Sequence, residues 1–166
     1  MTESAGVRHG GCLCGAVRYE LHGEPMIVHA CHCTRCQRRT GSAFAVNIWT
    51  ESDNVVLRSG RPEKRSAPGV EAGKPSDTWF CPDCGTALWS RFGTAPANSR
   101  FVRAGTLDDP SAYTPDVHIH TSSRQPWVVI PEGAAAFDEF YSIKEIWPEA
   151  KRKRLRALIS GLGEQQ

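Results

Sequence analysis

Along most of this chain apolar and polar residues alternate in short runs broken by glycine and proline. Ala16–His22 (Ala-Val-Arg-Tyr-Glu-Leu-His) alternates in this way and predicts a strand. Ala43–Trp49, Asn54–Arg58, Thr86–Arg91, Phe101–Ala104 and Val117–His120 predict further strands, and Met26–Ala30 is an apolar lead into a cysteine-rich knot. Cys33–Arg39 has the length of a helical turn, with Gly41 placed to end it. Gly60–Ser76 holds three prolines and three glycines and carries little signal beyond a short strand at Glu63–Ala67. The period changes only near the end, where Leu155, Leu158, Ile159 and Leu162 follow a helical stripe. Pro148 suits that helix's first turn and Gly163 its stop. Short strands with frequent turns predict a mainly β fold of small coiled sheets, closed by one C-terminal α-helix.

Composition narrows the class. The 166 residues are 40% hydrophobic with a formal net charge of +2, enough for one soluble domain with a real core. No stretch approaches the roughly 18–20 apolar residues of a membrane span. Met1–Gly11 lacks the apolar block of a secretory signal, so a cytoplasmic location is expected, where disulfides are rare. Positive charge concentrates in the tail: from Lys144 onward six basic residues stand against three acidic ones. A solvated face of a docked helix accounts for this run; the alternative is a basic surface for nucleic acid or an acidic partner.

Seven cysteines in such a chain need a role. Cys12, Cys14, Cys31, Cys33, Cys36, Cys81 and Cys84 form three tight knots, in odd number and too closely spaced to bridge within a knot without strain. Thiolates from one turn can instead grip one ion, and zinc favours soft sulfur in tetrahedral geometry. A closed structural site takes four ligands and an open catalytic site three, which matches seven. Spacing does not decide which knots combine, although Cys31, Cys33 and Cys36 can act as a local trio. Cys12, Cys14, Cys81 and Cys84 would then close the four-sulfur site. In extended Cys-x-Cys both sulfurs share a face, so Leu13 and His32 are expected to point away from the metal.

The ordered motifs Gly10-Gly-Cys-Leu-Cys-Gly-Ala-Val-Arg-Tyr19, Cys31-His-Cys-Thr-Arg-Cys36 with Thr40-Gly41, and Phe80-Cys-Pro-Asp-Cys-Gly-Thr86 resemble the glutathione-dependent formaldehyde-activating enzyme (GFA) family, which includes centromere protein V. Ala104-Gly-Thr-Leu-Asp-Asp-Pro110 and the His118-Ile119 segment leading to Trp127 extend the likeness over most of the chain. The resemblance implies an Mss4-like fold and two zinc ions as cofactors. It implies that Cys12, Cys14, Cys81 and Cys84 hold the structural zinc and Cys31, Cys33 and Cys36 the functional one. It also implies a carbon–sulfur lyase acting on a thiol–aldehyde adduct such as S-hydroxymethylglutathione. The domain boundaries expected are 7–140 for the zinc-binding domain and, from the helical stripe and outside the resemblance, 144–163 for the basic helix packed on it.

Three further sets of residues are candidates. Arg35, Arg38 and Arg39 flank the second knot, where they could offset thiolate charge or hold the carboxylates of a glutathione-like substrate. In an extended Val117–Thr121, His118 and His120 would share one face, and His118, at the position matching the family, is the expected proton shuttle. Phe44, Trp49, Trp79, Phe80, Trp89 and Trp127 are expected in the core.

Overall fold

Strand alternation sets the architecture in the computed structural model, which describes residues 6–160. The strands are β1 (Val7–Gly11), β2 (Arg18–His22), β3 (Ile27–Cys31), β4 (Ala45–Glu51), β5 (Val55–Ser59) and β6 (Glu63–Ala67). They continue with β7 (Ser76–Phe80), β8 (Ala87–Arg91), β9 (Ser99–Arg103), β10 (Val117–Ile119) and β11 (Ala135–Ala136). The helices are α1 (Thr34–Thr40), α2 (Ile143–Ile146) and α3 (Glu149–Ser160). β1, β2 and β5 form one sheet; the other eight form a second in the order β11-β10-β3-β4-β9-β8-β7-β6. The fold is mainly β with a C-terminal helix, as the alternation predicts.

Register in the second sheet divides the core in two. Directly paired residues share a face. Ile119, Cys31 and Ala45 therefore form one row, His29, Asn47 and Arg103 the next, and Ile27, Trp49 and Phe101 the third. Behind this face lies a core that includes Met26, Tyr141, Trp147 and the helix residues Leu155 and Leu158. Val28, Ile48 and Val102 take the opposite face, where they pack with Tyr19, Leu21, Leu88 and Trp89. Burying these side chains contributes on the order of 1.5–3 kcal/mol each.

Three strands, β1, β7 and the two-residue β11, escape a hydropathy reading. β1 has only one strongly apolar residue, and its glycines are there for space: a Cβ on Gly10 would meet the Tyr19 ring at 2.5 Å. β7 begins Ser-Asp-Thr, all three buried, with the Asp77 and Thr78 side chains satisfied by partners. Asp77 accepts from Ser66 Oγ at 2.6 Å and pairs with Arg91 at 2.7 Å, while Thr78 and Ser90 hydroxyls lie 3.0 Å apart. α1 ends as predicted on Gly41, whose left-handed φ of 64° lets its N–H donate to Gln37 O.

The C-terminal segment does not run as one helix from residue 144. Trp147 is extended (ψ 133°) because it precedes Pro148, and this separates α2 from α3. Leu155 and Leu158 are buried but Ile159 is exposed; Leu162 and Gly163 lie outside the described residues. The arginines of α3 are committed within the chain, Arg154 to Glu51 at 2.6 Å and Arg152 to Glu149 at 2.7 Å, with Arg156 also on Glu149. Among the expected core aromatics Trp127 is the exception. It sits exposed in a turn that no strand or helix covers. No helix of the described residues is long and apolar enough to cross a membrane.

Candidate metal centres and the cavity beside them

The end of the β1 strand and the β7–β8 turn bring four sulfurs together. The Sγ atoms of Cys12, Cys14, Cys81 and Cys84 lie within 4.8 Å of one another. Cys12 and Cys14 are 3.4 Å apart, and Cys14 and Cys81 3.7 Å. Thiolates about 2.3 Å from a tetrahedral ion stand about 3.8 Å from each other, so this set fits a zinc-like ion. The surroundings favour thiolate at Cys12 and Cys84, while the Cys14 and Cys81 thiols are pushed up: Val17 N–H donates to Cys12 Sγ at 3.2 Å. A hydrogen bond with the Thr86 hydroxyl, 3.1 Å away, is the main reason the Cys84 thiol is lowered to about 5. Leu13 is exposed, pointing away as the Cys-x-Cys geometry requires.

Cys31, Cys33 and Cys36 form the second cluster, also within 4.8 Å. Cys31 ends β3, Cys33 caps α1 by accepting from Cys36 N–H at 3.3 Å, and Cys36 comes one turn later. Hydrogen bonds from Cys31 and then Cys36 hold the Cys33 thiol well below the usual range, while Cys31 is pushed up, chiefly by Cys33. Left alone, the three sulfurs share protons; a divalent cation would let all three ionise. His32 is not among these ligands. It is fully buried against Phe44, and its Nε2 lies 3.0 Å from His118 Nδ1.

The second cluster opens into a cavity of about 370 Å³. Arg35, Arg39 and Lys74 line it, and among the described residues no carboxylate does. Arg35 donates to Pro68 O, and Arg39 to Thr78 Oγ1 at 2.5 Å and Ser76 O at 3.4 Å, so both spend their hydrogen bonds on neutral oxygens. Lys74 pairs with Glu71 at 3.0 Å. Arg38 is exposed and outside the cavity wall.

His118 does not reach this cavity either. It occupies the opposite face of β10 from Ile119 and stacks on His32. His120 lines the cavity instead, because it departs from strand geometry: its φ of 55° is the one positive value on a non-glycine among the described residues. That left-handed turn breaks the alternation by which the two histidines would share a face. Glu139 Oε2 lies 3.1 Å from His120 Nδ1 and accepts its proton, which leaves Nε2 as the basic nitrogen.

Two cavity-side residues were not singled out by the sequence pattern. His29 lies in the same face as Cys31, two residues before it. The Tyr141 hydroxyl accepts from Trp147 Nε1–H at 2.8 Å and donates to His29 Nε2 at 2.7 Å. Burial and the nearby His120 lower the His29 imidazole to about 3, keeping it neutral. Arg103 is nearly fully buried, donates to Asn47 Oδ1 and to Ser90 Oγ (3.2 Å), and leaves its Nε unpartnered. Burial works against its charge and Cys36 supports it. Among the described residues no carboxylate is hydrogen-bonded to this buried cation, and the Cys36 and Cys31 sulfurs are the groups that favour its charge. Its sequence signal was an arginine in the inward phase of Phe101-Val-Arg103.

Residues 7–123 match the family model described as glutathione-dependent formaldehyde-activating enzyme. The chain is similar, at 26% identity over 125 residues (73% of this chain, 79% of the relative), to a Halomonas elongata protein named "Putative glutathione-dependent formaldehyde-activating enzyme". A Rhodobacter sphaeroides protein of known crystal structure aligns with a TM-score of 0.45 and 20% identity, over 61% of this chain and 88% of that one. With most of its length inside the family model, this chain belongs to the glutathione-dependent formaldehyde-activating enzyme family.

Proposed function

We propose that the protein is a zinc-dependent carbon–sulfur lyase that makes or breaks a thiol–aldehyde adduct, with glutathione as the fitting thiol. The observation that carries this reading is the opening of a three-cysteine cluster onto a cavity with cationic side chains and, among the described residues, no carboxylate. Cys12, Cys14, Cys81 and Cys84 would hold a structural zinc and Cys31, Cys33 and Cys36 a second, with one coordination position left over. Zinc bound at the second cluster would lower the pKa of an incoming thiol and supply thiolate at neutral pH.

The remaining steps belong to the chain. Arg35 and Arg39, free of carboxylate partners, bind the carboxylates of the thiol and orient its sulfur toward the cysteines. As the carbon–sulfur bond breaks, sulfur keeps the electron pair and the carbinol oxygen becomes the aldehyde carbonyl. His120, held by Glu139, takes the carbinol proton at Nε2 and returns it when the adduct forms. Arg103 offsets the net negative charge that three thiolates leave on a divalent ion. Reduced thiols in both clusters suit a cytoplasmic location.

Zinc stoichiometry and adduct exchange test the reading together. Two zinc ions per chain, one perturbed by glutathione, are expected, with formaldehyde exchange visible by NMR and lost in Cys33→Ser. A single zinc insensitive to thiol would overturn it.

A further inference from the structure

The cavity is longer and more apolar than a one-carbon aldehyde requires. Its two arginines stand at the cysteine end, where α1 carries Arg35 and Arg39 beside Cys33 and Cys36, while the third cation, Lys74, is paired with Glu71. The wall then runs away from the cysteines along β3, β4 and β9. Cys31 stands in the first row, His29 and Asn47 in the second, and Trp49 with Phe101 in the third. Four residues separate Cys31 from the third row, about 13 Å at the usual rise of a strand. At that far end Trp49 and Phe101 stack with centroids 4.9 Å apart, and Phe92 packs edge-on to Phe101 at 4.7 Å. Phe140 and Ile143 also line the cavity.

A hydroxymethyl group on a sulfur at the cysteine cluster ends within the first row. Glutathione is polar along its whole length and its carboxylates are drawn to the arginines, so it offers nothing to the aromatic wall. An aromatic wall left wet adds no binding energy, whereas covering it with carbon does. We infer that the site takes adducts whose aldehyde-derived part is a bulky apolar group of aryl size, reaching past His29 and Asn47 to Trp49 and Phe101. The inference rests on the thiol-adduct reading above and names its second substrate.

Stable thioethers of glutathione separate the possibilities, because they bind without reacting. Binding of S-methylglutathione and S-benzylglutathione to the zinc-loaded protein is measured by calorimetry. S-Benzylglutathione is expected to bind at least tenfold more tightly, since a ring's worth of apolar surface leaves water. Phe92→Ala, at a half-buried position whose loss the fold should survive, should remove most of that preference and leave S-methylglutathione affinity unchanged. Phe92→Leu should restore part of it. Equal affinity for the two conjugates would overturn the bulky-aldehyde inference while leaving the thiol site intact. Failure of both conjugates to bind would overturn both readings.

Discussion

Asn47 and Arg103 face each other across β4 and β9, and the buried guanidinium donates to the amide oxygen instead of to a carboxylate. An isolated buried cation is costly, so its partner charge must come from the adjacent cysteine cluster. Arg103→Met is expected to weaken metal binding at the second site at least tenfold, about 1.4 kcal/mol, with the first site unaffected. Arg103→Lys should recover part of the loss. Chelator competition on the purified variants reads both sites, and equal affinities in all three proteins would mean that the charge is balanced elsewhere.

The two clusters should fail differently. Cys81→Ser removes a buried ligand from the core around Tyr19 and Leu88, and structural zinc binding is itself folding free energy. That variant should lose cooperative thermal unfolding. Cys33→Ser should keep the fold, release about one metal ion and lose adduct chemistry. Circular dichroism melts alongside metal analysis decide the point, and comparable unfolding of both variants would contradict the division.

His118 and His120 differ by two positions and by side of the sheet. His120→Ala should lower turnover by roughly 10²-fold or more with little change in stability. His118→Ala should leave turnover per folded molecule intact. It strips buried His32 of its partner, at a cost of about 1–3 kcal/mol, seen as a lower Tm. The opposite pattern would return the proton role to His118.

His29 makes stability depend on pH. Its folded pKa, about 3, is depressed from 6.5 by burial and then by His120. Above pH 6.5 both folded and unfolded chains are neutral there, and the contribution is fully present. As pH falls below 6.5 the unfolded chain binds a proton that the folded chain refuses, so stability drops until the folded pKa is reached. Between pH 7.5 and 5.0 this amounts to about 2 kcal/mol. His29→Gln, which keeps an acceptor for Tyr141, should lose that increment in denaturant titrations at the two pH values.

Much of this was legible in the residues. Cys-x-Cys spacing put Leu13 and His32 outside the sulfur clusters, and Gly41 marked the end of α1, because both follow from local geometry. Local pattern could not show β7, whose Asp77 and Thr78 are buried only because Ser66, Arg91 and Ser90 satisfy them from elsewhere. Nor could it show that His120 turns left-handed, since that conformation is held by its backbone N–H on Glu139 O across the fold. The aromatic wall needed the β4–β9 register, a long-range pairing, before Trp49 and Phe101 could be read as neighbours.

The second sheet keeps the four-sulfur cluster with one core and the three-sulfur cluster with the other. On the function proposed above, changes that reshape the cavity at Phe92, Phe140 or Ile143 fall on the side away from the metal that would support folding. The sheet would then act as a partition between inheritance and innovation, with aldehyde selectivity free to change by single substitutions while the folded skeleton is kept.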